Sequence, residues 1–102
     1  MEYLELNNKN IDNEKFLNYF IEENLKRGVN RNGLKMIKFN KKSISVEIKN
    51  HYYFNNLFTE KDLLNEILKL LKMYIMEHNL NLTHDMDFLK YKFKKLNVKY
   101  ER

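Results

Sequence analysis

Leu34-Lys-Met-Ile-Lys-Phe-Asn-Lys-Lys-Ser-Ile-Ser-Val-Glu-Ile-Lys49 is the stretch on which the fold turns. In its second half, Ile44, Val46 and Ile48 alternate with Ser43, Ser45, Glu47 and Lys49. Successive strand residues point to opposite faces, so this period of two, with β-branched residues on one side, reads as a half-buried strand. Leu34–Phe39 reads as its partner strand. Asn40-Lys41-Lys42 reads as the turn, because Asn tolerates the positive φ that tight turns often require. The stretch is therefore a β-hairpin with lysines at its tip.

Upstream, Phe16, Leu17, Phe20, Ile21 and Leu25 recur at helical spacing. Asp12 or Asn13 can cap that helix at its start. Lys26 and Arg27 suit its negative end, and Gly28 can supply the left-handed stop. Val29 to Gly33 is a loop. Ahead of the helix, residues 1–6 alternate weakly, as a short edge strand or a loosely packed arm would, and Asn7 to Asn10 are turn residues.

Downstream, His51-Tyr52-Tyr53-Phe54-Asn55-Asn56 is an aromatic connector, expected to close the core rather than to stack on unpaired bases. Thr59 with Asp62 three residues on is a variant of the capping box that opens a second helix. From Leu63 to Met76, ten of fourteen residues are apolar, with Asn65, Glu66, Lys69 and Lys72 as a narrow polar stripe. A helix so apolar has to be covered on most of its surface, by the core or by a second copy of the chain. Asn79 and Asn81 end it. The last segment reads two ways. Met86, Leu89, Phe93 and Leu96 keep helical spacing over 84–96, with Thr83 as cap, Asp85 and Asp87 in the first turn and Lys94 and Lys95 in the last. Leu89-Lys-Tyr91-Lys-Phe93 and Leu96-Asn-Val98-Lys-Tyr100 also alternate like a second hairpin. The helix is the preferred reading. The predicted fold is a single α+β domain over 1–102: a helix, a wing-like hairpin, a long apolar helix and a short C-terminal helix, with a winged-helix-like arrangement within its scope.

Composition bounds the function. Asn and Lys occur 16 times each, Arg three times, and Ala, Pro, Gln, Trp and Cys are absent. Residues of A/T-rich codons dominate, so the net charge of +5 partly reflects codon drift, and its placement says more than its size. Residues 26–49 hold eight basic side chains against Glu47, and residues 88–102 hold six against Glu101. Acidic blocks lie before and between them. Two basic blocks make a basic face if the fold brings them together. Without Cys, no disulfide framework or thiolate metal site is expected. No window of about 18 apolar residues is present, so no membrane span is expected, and the acidic start argues against a signal peptide; a cytoplasmic location is the reading.

Chemistry-bearing motifs are sparse. His78, His84, Asp85 and Asp87 are metal-ligand types in no recognised spacing. Glu22 and Glu23 point apart on a helix and offer no paired acid and base. Ser43 and Ser45 have no glycine elbow, and with only Gly28 and Gly33 there is no phosphate loop. Neither an enzyme nor a cofactor is expected. The hairpin is the functional candidate: Arg31, Lys35, Lys38, Lys41 and Lys42 for phosphates, with Asn30, Asn32 and Asn40 for phosphates or base edges. Lys90, Lys92, Lys94, Lys95 and Lys99 are either a second phosphate contact or a solvated helix face.

The hairpin Leu34–Lys49, taken as a candidate wing, resembles the small winged-helix accessory DNA-binding proteins of clostridial conjugative plasmids (the TcpK type). That resemblance implies a homodimer on repeated duplex sites at an origin of transfer, working beside other relaxosome proteins. It also implies that the wing, through Arg31, Lys38, Lys41 and Lys42, makes the main contacts. The chain departs from the winged-helix order in showing one helix, not two or three, before the hairpin. The expected function is sequence-specific double-stranded DNA binding by a dimer serving a mobile element. The alternative is a small phage- or plasmid-encoded inhibitor that docks on a host protein. A structural or assembly protein using its aromatic surface is a third reading.

Overall fold

The computed structural model describes residues 11–49, 53–78 and 86–101. Helix α1 (Asn13–Lys26) leads to strands β1 (Leu34–Phe39) and β2 (Ser43–Ile48), then to helices α2 (Glu60–Glu77) and α3 (Met86–Lys92) and strand β3 (Lys95–Tyr100). The strands form one sheet in the order β1-β2-β3, with β1 antiparallel and β3 parallel to β2. The helices and the inward side chains of the strands share one core, while the opposite face of the sheet is polar. The result is a small α+β domain. Among the described residues, no helix is long and apolar enough to cross a membrane.

Local chemistry sets each boundary. The Asp12 carboxylate accepts from the Glu14 and Lys15 amides and starts α1. At its other end the Gly28 amide donates to the Leu25 carbonyl and the Val29 amide to that of Asn24, a Schellman closure with Gly28 at φ 80°. That positive φ is the left-handed stop expected of Gly28. Thr59 and Asp62 form a reciprocal capping box at α2. The amide bond from Thr59 holds the Asp62 carboxyl below its ordinary range.

One irregularity decides which side chains of β1 face inward. Leu34, Ile37 and Phe39 are all buried, yet Leu34 and Ile37 are an odd number of residues apart. A bulge between Leu34 and Met36 resets the alternation, so Lys35 is absorbed without a partner on β2. Ile44, Val46 and Ile48 on β2 are fully buried, as their period predicts. Phe16, Phe20, Leu63, Ile67, Leu71 and Leu89 add to the core from the helices, and Phe93 adds to it from the turn after α3. Phe16 meets Phe39 and Tyr74 edge-on at 5.4 Å each, which ties α1 to both β1 and α2. Tyr53, Phe54 and Phe58 pack half-buried against the core, in keeping with the closing role expected of the connector. His51 and Tyr52 lie outside the described residues, as do the edge strand or arm expected at 1–6, the helix end at Asn79 and Asn81, and Thr83, His84 and Asp85.

Three expectations need correction. The helix expected over 84–96 stops at Lys92, and residues from Lys95 onward form β3. The second-hairpin reading fails too, because 86–92 is helical and β3 pairs with β2 instead. β2 has two edges and the hairpin satisfies only one, so the alternation of Leu96, Val98 and Tyr100 prevails over their helical spacing. In consequence the hairpin is not a free wing: its second strand is the centre of the sheet. Along α2, Leu63, Ile67, Leu68, Leu70, Leu71, Tyr74 and Ile75 are buried. Leu64 and Met73 are half-buried and Met76 is 67 % exposed.

Replacing Ile44 by Ala should cost about 2–5 kcal/mol in urea unfolding, because its fully buried site lies at the centre of the core. The α1–α2 contact carries a pH signature. Tyr19 donates its hydroxyl to Glu77, and burial, then the Glu77 and Glu23 charges, push its pKa up to about 12. The unfolded phenol ionises near its ordinary 10.0. Its contribution to stability is therefore complete below pH 10 and is lost as pH rises to about 12. Urea titrations across that window should show the decline in the wild type and a smaller one in Tyr19→Phe.

Candidate nucleic-acid interface

The outward face of the sheet is built by alternation and register. On β2 it carries Ser43, Ser45 and Glu47, whose register partners on β3 are Lys95, Asn97 and Lys99. On β1, Lys38 stands across from Ser45 and Met36 across from Glu47. Lys38, Lys95, Asn97 and Lys99 are exposed. A small polar network fixes the middle of this face. The Asn40 amide donates to the Ser43 and Ser45 hydroxyls at 3.1 and 2.8 Å, and the Asn97 amide donates to Ser43 at 3.1 Å.

Register also decides where the two basic blocks meet. Ser43 pairs with Lys95, so the hairpin tip, Lys41 and Lys42, lies beside the turn that brings Lys94 and Lys95 out of α3. One corner of the sheet thus gathers four lysines that the sequence holds about fifty positions apart, at neighbouring-strand spacing of about 4.8 Å. Lys41, Lys42, Lys94 and Lys95 are all exposed. Lys94 sits over the Tyr91 ring at 4.8 Å. The condition for a basic face, that the two blocks adjoin, is met. Beside the corner, between the start of α2 and the α3–β3 turn, lies an open cleft of about 480 Å³ whose lining includes Lys61, Leu64, Leu68, Lys94, Lys95 and Leu96.

The residues singled out on sequence separate into two groups. Lys38, Lys41 and Lys42 belong to the face and its corner, and Lys35 is exposed at the bulge. None of the four forms an ion pair with a described residue. Arg31 is set apart. Its guanidinium pairs with Glu66 at 3.1 Å and lies 4.0 Å above the centre of the Phe58 ring, so it clamps the loop to α2. Asn32 is exposed, and its backbone N–H donates to the Asn30 side-chain oxygen. Asn40 is half-buried, and its donor capacity is spent on Ser43 and Ser45. Asn97 is the polar side chain of this face that sequence reading did not single out. The signal was present in the alternation of Leu96-Asn-Val98-Lys-Tyr100, which places Asn97 with Lys95 and Lys99 once the segment is taken as a strand.

Among the described residues no cluster of His, Asp, Glu or Cys could hold a metal ion. The side chains of His84, Asp85 and Asp87 fall outside that statement. No protein-family model matches the chain, and comparison with curated proteins and with solved structures finds no match.

Arg31→Ala should lower stability by about 1–3 kcal/mol, losing both a partly buried ion pair and a ring contact. It should leave nucleic-acid affinity within about twofold, as checked by urea unfolding and fluorescence anisotropy on the same protein. A phosphate-contacting arginine would show the opposite pattern, a large loss of affinity with stability nearly unchanged.

Proposed function

We propose that the chain is a double-stranded DNA-binding protein whose contact surface is the outward sheet face and its lysine corner. The observation that carries this reading is the parallel pairing of β3 with β2. It sets the C-terminal basic block beside the hairpin block on one surface, with Lys38, Lys95 and Lys99 across the face and Lys41, Lys42 and Lys94 at the corner. Phosphates are met best by exposed ammonium groups held on a rigid frame, and strands give such a frame. Asn97, exposed between Lys95 and Lys99, is the side chain of the face best suited to meeting a base edge. Two-stranded ribbons enter the major groove, and a three-stranded sheet can present its centre there while its lysines flank the phosphates.

In this reading the hairpin contributes as part of a sheet, so neither a free wing nor a recognition helix is needed. Arg31 drops out of the contact set, while Lys95, Asn97 and Lys99 enter it. The resemblance to plasmid accessory proteins rests on the same hairpin, and it makes an origin-of-transfer or regulatory site of a mobile element the first duplex to try. Such a role is exercised in the cytoplasm by a homodimer.

The test is a salt titration of binding to short duplexes. Each phosphate contact contributes about 0.9 to the negative slope of log affinity against log salt. Lys95→Gln with Lys99→Gln, and separately Lys41→Gln with Lys42→Gln, should each weaken binding at least about tenfold and cut the slope by about two per chain, or about four for the dimer. Unchanged affinity in both double variants would sink the proposal.

A further inference from the structure

The sheet leaves β3 at an edge, and the hydrogen-bonding pattern shows what that edge presents. The Glu101 amide donates to the Ile48 carbonyl at 2.8 Å, continuing the β2–β3 ladder. In a strand, backbone groups turn to alternate sides. Odd-numbered residues of β3 therefore bond to β2, and Leu96 and Val98 turn their N–H and C=O groups away from it. No described strand lies on that side. The inward side chains of Leu96 and Val98 are only half-buried, where those of β2 are fully buried. The core is thus thinnest along this edge.

We infer that this edge pairs antiparallel with β3 of a second copy, joining two sheets into one of six strands about a two-fold axis at Val98. Charge selects the register. If Asn97 stood opposite Asn97 of the other copy, Lys95 would face Lys99 of that copy, and like charges directly opposite are destabilising. With Val98 opposite Val98, Lys95 faces Glu101 and Asn97 faces Lys99, while Leu96 stands beside Tyr100 on the inner face. That register matches each outward residue to a complementary one, and it directs the backbone groups of Val98 at one another as a hydrogen-bonded pair. Lysines on an edge strand commonly discourage pairing. Here the opposing carboxylate of Glu101 turns Lys95 into a register key.

The geometry deepens the DNA-binding reading, on which this consequence rests. The two-fold axis stands perpendicular to the sheet, so both lysine faces look the same way. With a rise of about 3.3 Å per residue and a strand spacing of about 4.8 Å, the two hairpin tips fall roughly 30–35 Å apart. One turn of B-DNA is about 34 Å, the spacing at which symmetric dimers reach two half-sites on one side of the duplex. A monomer offers one corner. The pair offers two in helical phase.

Sedimentation equilibrium of the full chain, with amide exchange followed residue by residue, tests the interface. A dimer is expected, with the Leu96 and Val98 amides gaining protection as concentration rises while those of Asn97 and Lys99 stay protected throughout. Val98→Pro removes an outward N–H, which an edge strand tolerates. It should yield a folded monomer that binds DNA with about half the wild-type salt slope. Glu101→Lys should weaken the dimer at least tenfold, and adding Lys95→Glu should restore it. A chain that stays monomeric into the hundreds of micromolar, a dimer indifferent to Val98→Pro, or a charge swap that fails to rescue would each overturn the inference. The DNA-binding reading fails separately: a dimer that meets these tests yet shows no salt-dependent affinity for duplexes would remove that reading and leave the interface standing.

Discussion

Everything in this molecule hangs on a strand that is paired along both edges. β2 turns Ile44, Val46 and Ile48 into the core with no exposure, and it spends its backbone groups alternately on β1 and β3. A lone hairpin in water is marginal, and three strands with an apolar face are about the least that stands alone. The third strand therefore decides whether the hairpin is a stable element. Because it arrives parallel, the chain must cross over between β2 and β3, and α2 and α3 are that crossover. The helices that cover the inner face and the strand that completes the outer one are consequences of the same connection.

The electrostatic character of the surface follows from the same ladder. Lysine is abundant throughout the chain, so abundance alone distinguishes no surface. Adjacency does. A parallel register that sets Ser43 against Lys95 draws the hairpin tip and the α3–β3 turn to one corner, and it lines up Lys95, Asn97 and Lys99 beside the serines of β2. A shift of one residue would send those lysines into the core and Leu96 and Val98 into water. Burial of a few aliphatic side chains thus determines where the charges stand.

How much of this was legible in the sequence depended on how local its cause was. The caps at Asp12 and Thr59, the stop at Gly28 and the alternation of β2 are read from residues within a turn of one another, and the structure places each where the sequence puts it. The segment after Phe93 was different. Leu89, Phe93 and Leu96 satisfy a helix, Leu96, Val98 and Tyr100 satisfy a strand, and the partner that settles the matter lies in a distant part of the chain. The bulge at Lys35 was equally hidden, since nothing in Leu-Lys-Met-Ile announces a residue without a partner. Of the candidate site, the clustering of the hairpin lysines was legible in the sequence. Arg31 looked like one of them because its partners, Glu66 and Phe58, belong to elements that only the fold brings near.

The parallel ladder also sets an order of events. Ser43 and Asn97, which touch across it, are 54 positions apart in the chain. Closing so long a loop is among the last and slowest steps a small domain takes, because its entropy must be met before the new contacts respond. In a growing chain β2 is made before β3, so its second edge has no partner from its own chain until residues 95–100 follow. That interval is when another molecule's third strand can occupy the vacant place, exchanging segments between chains instead of completing one.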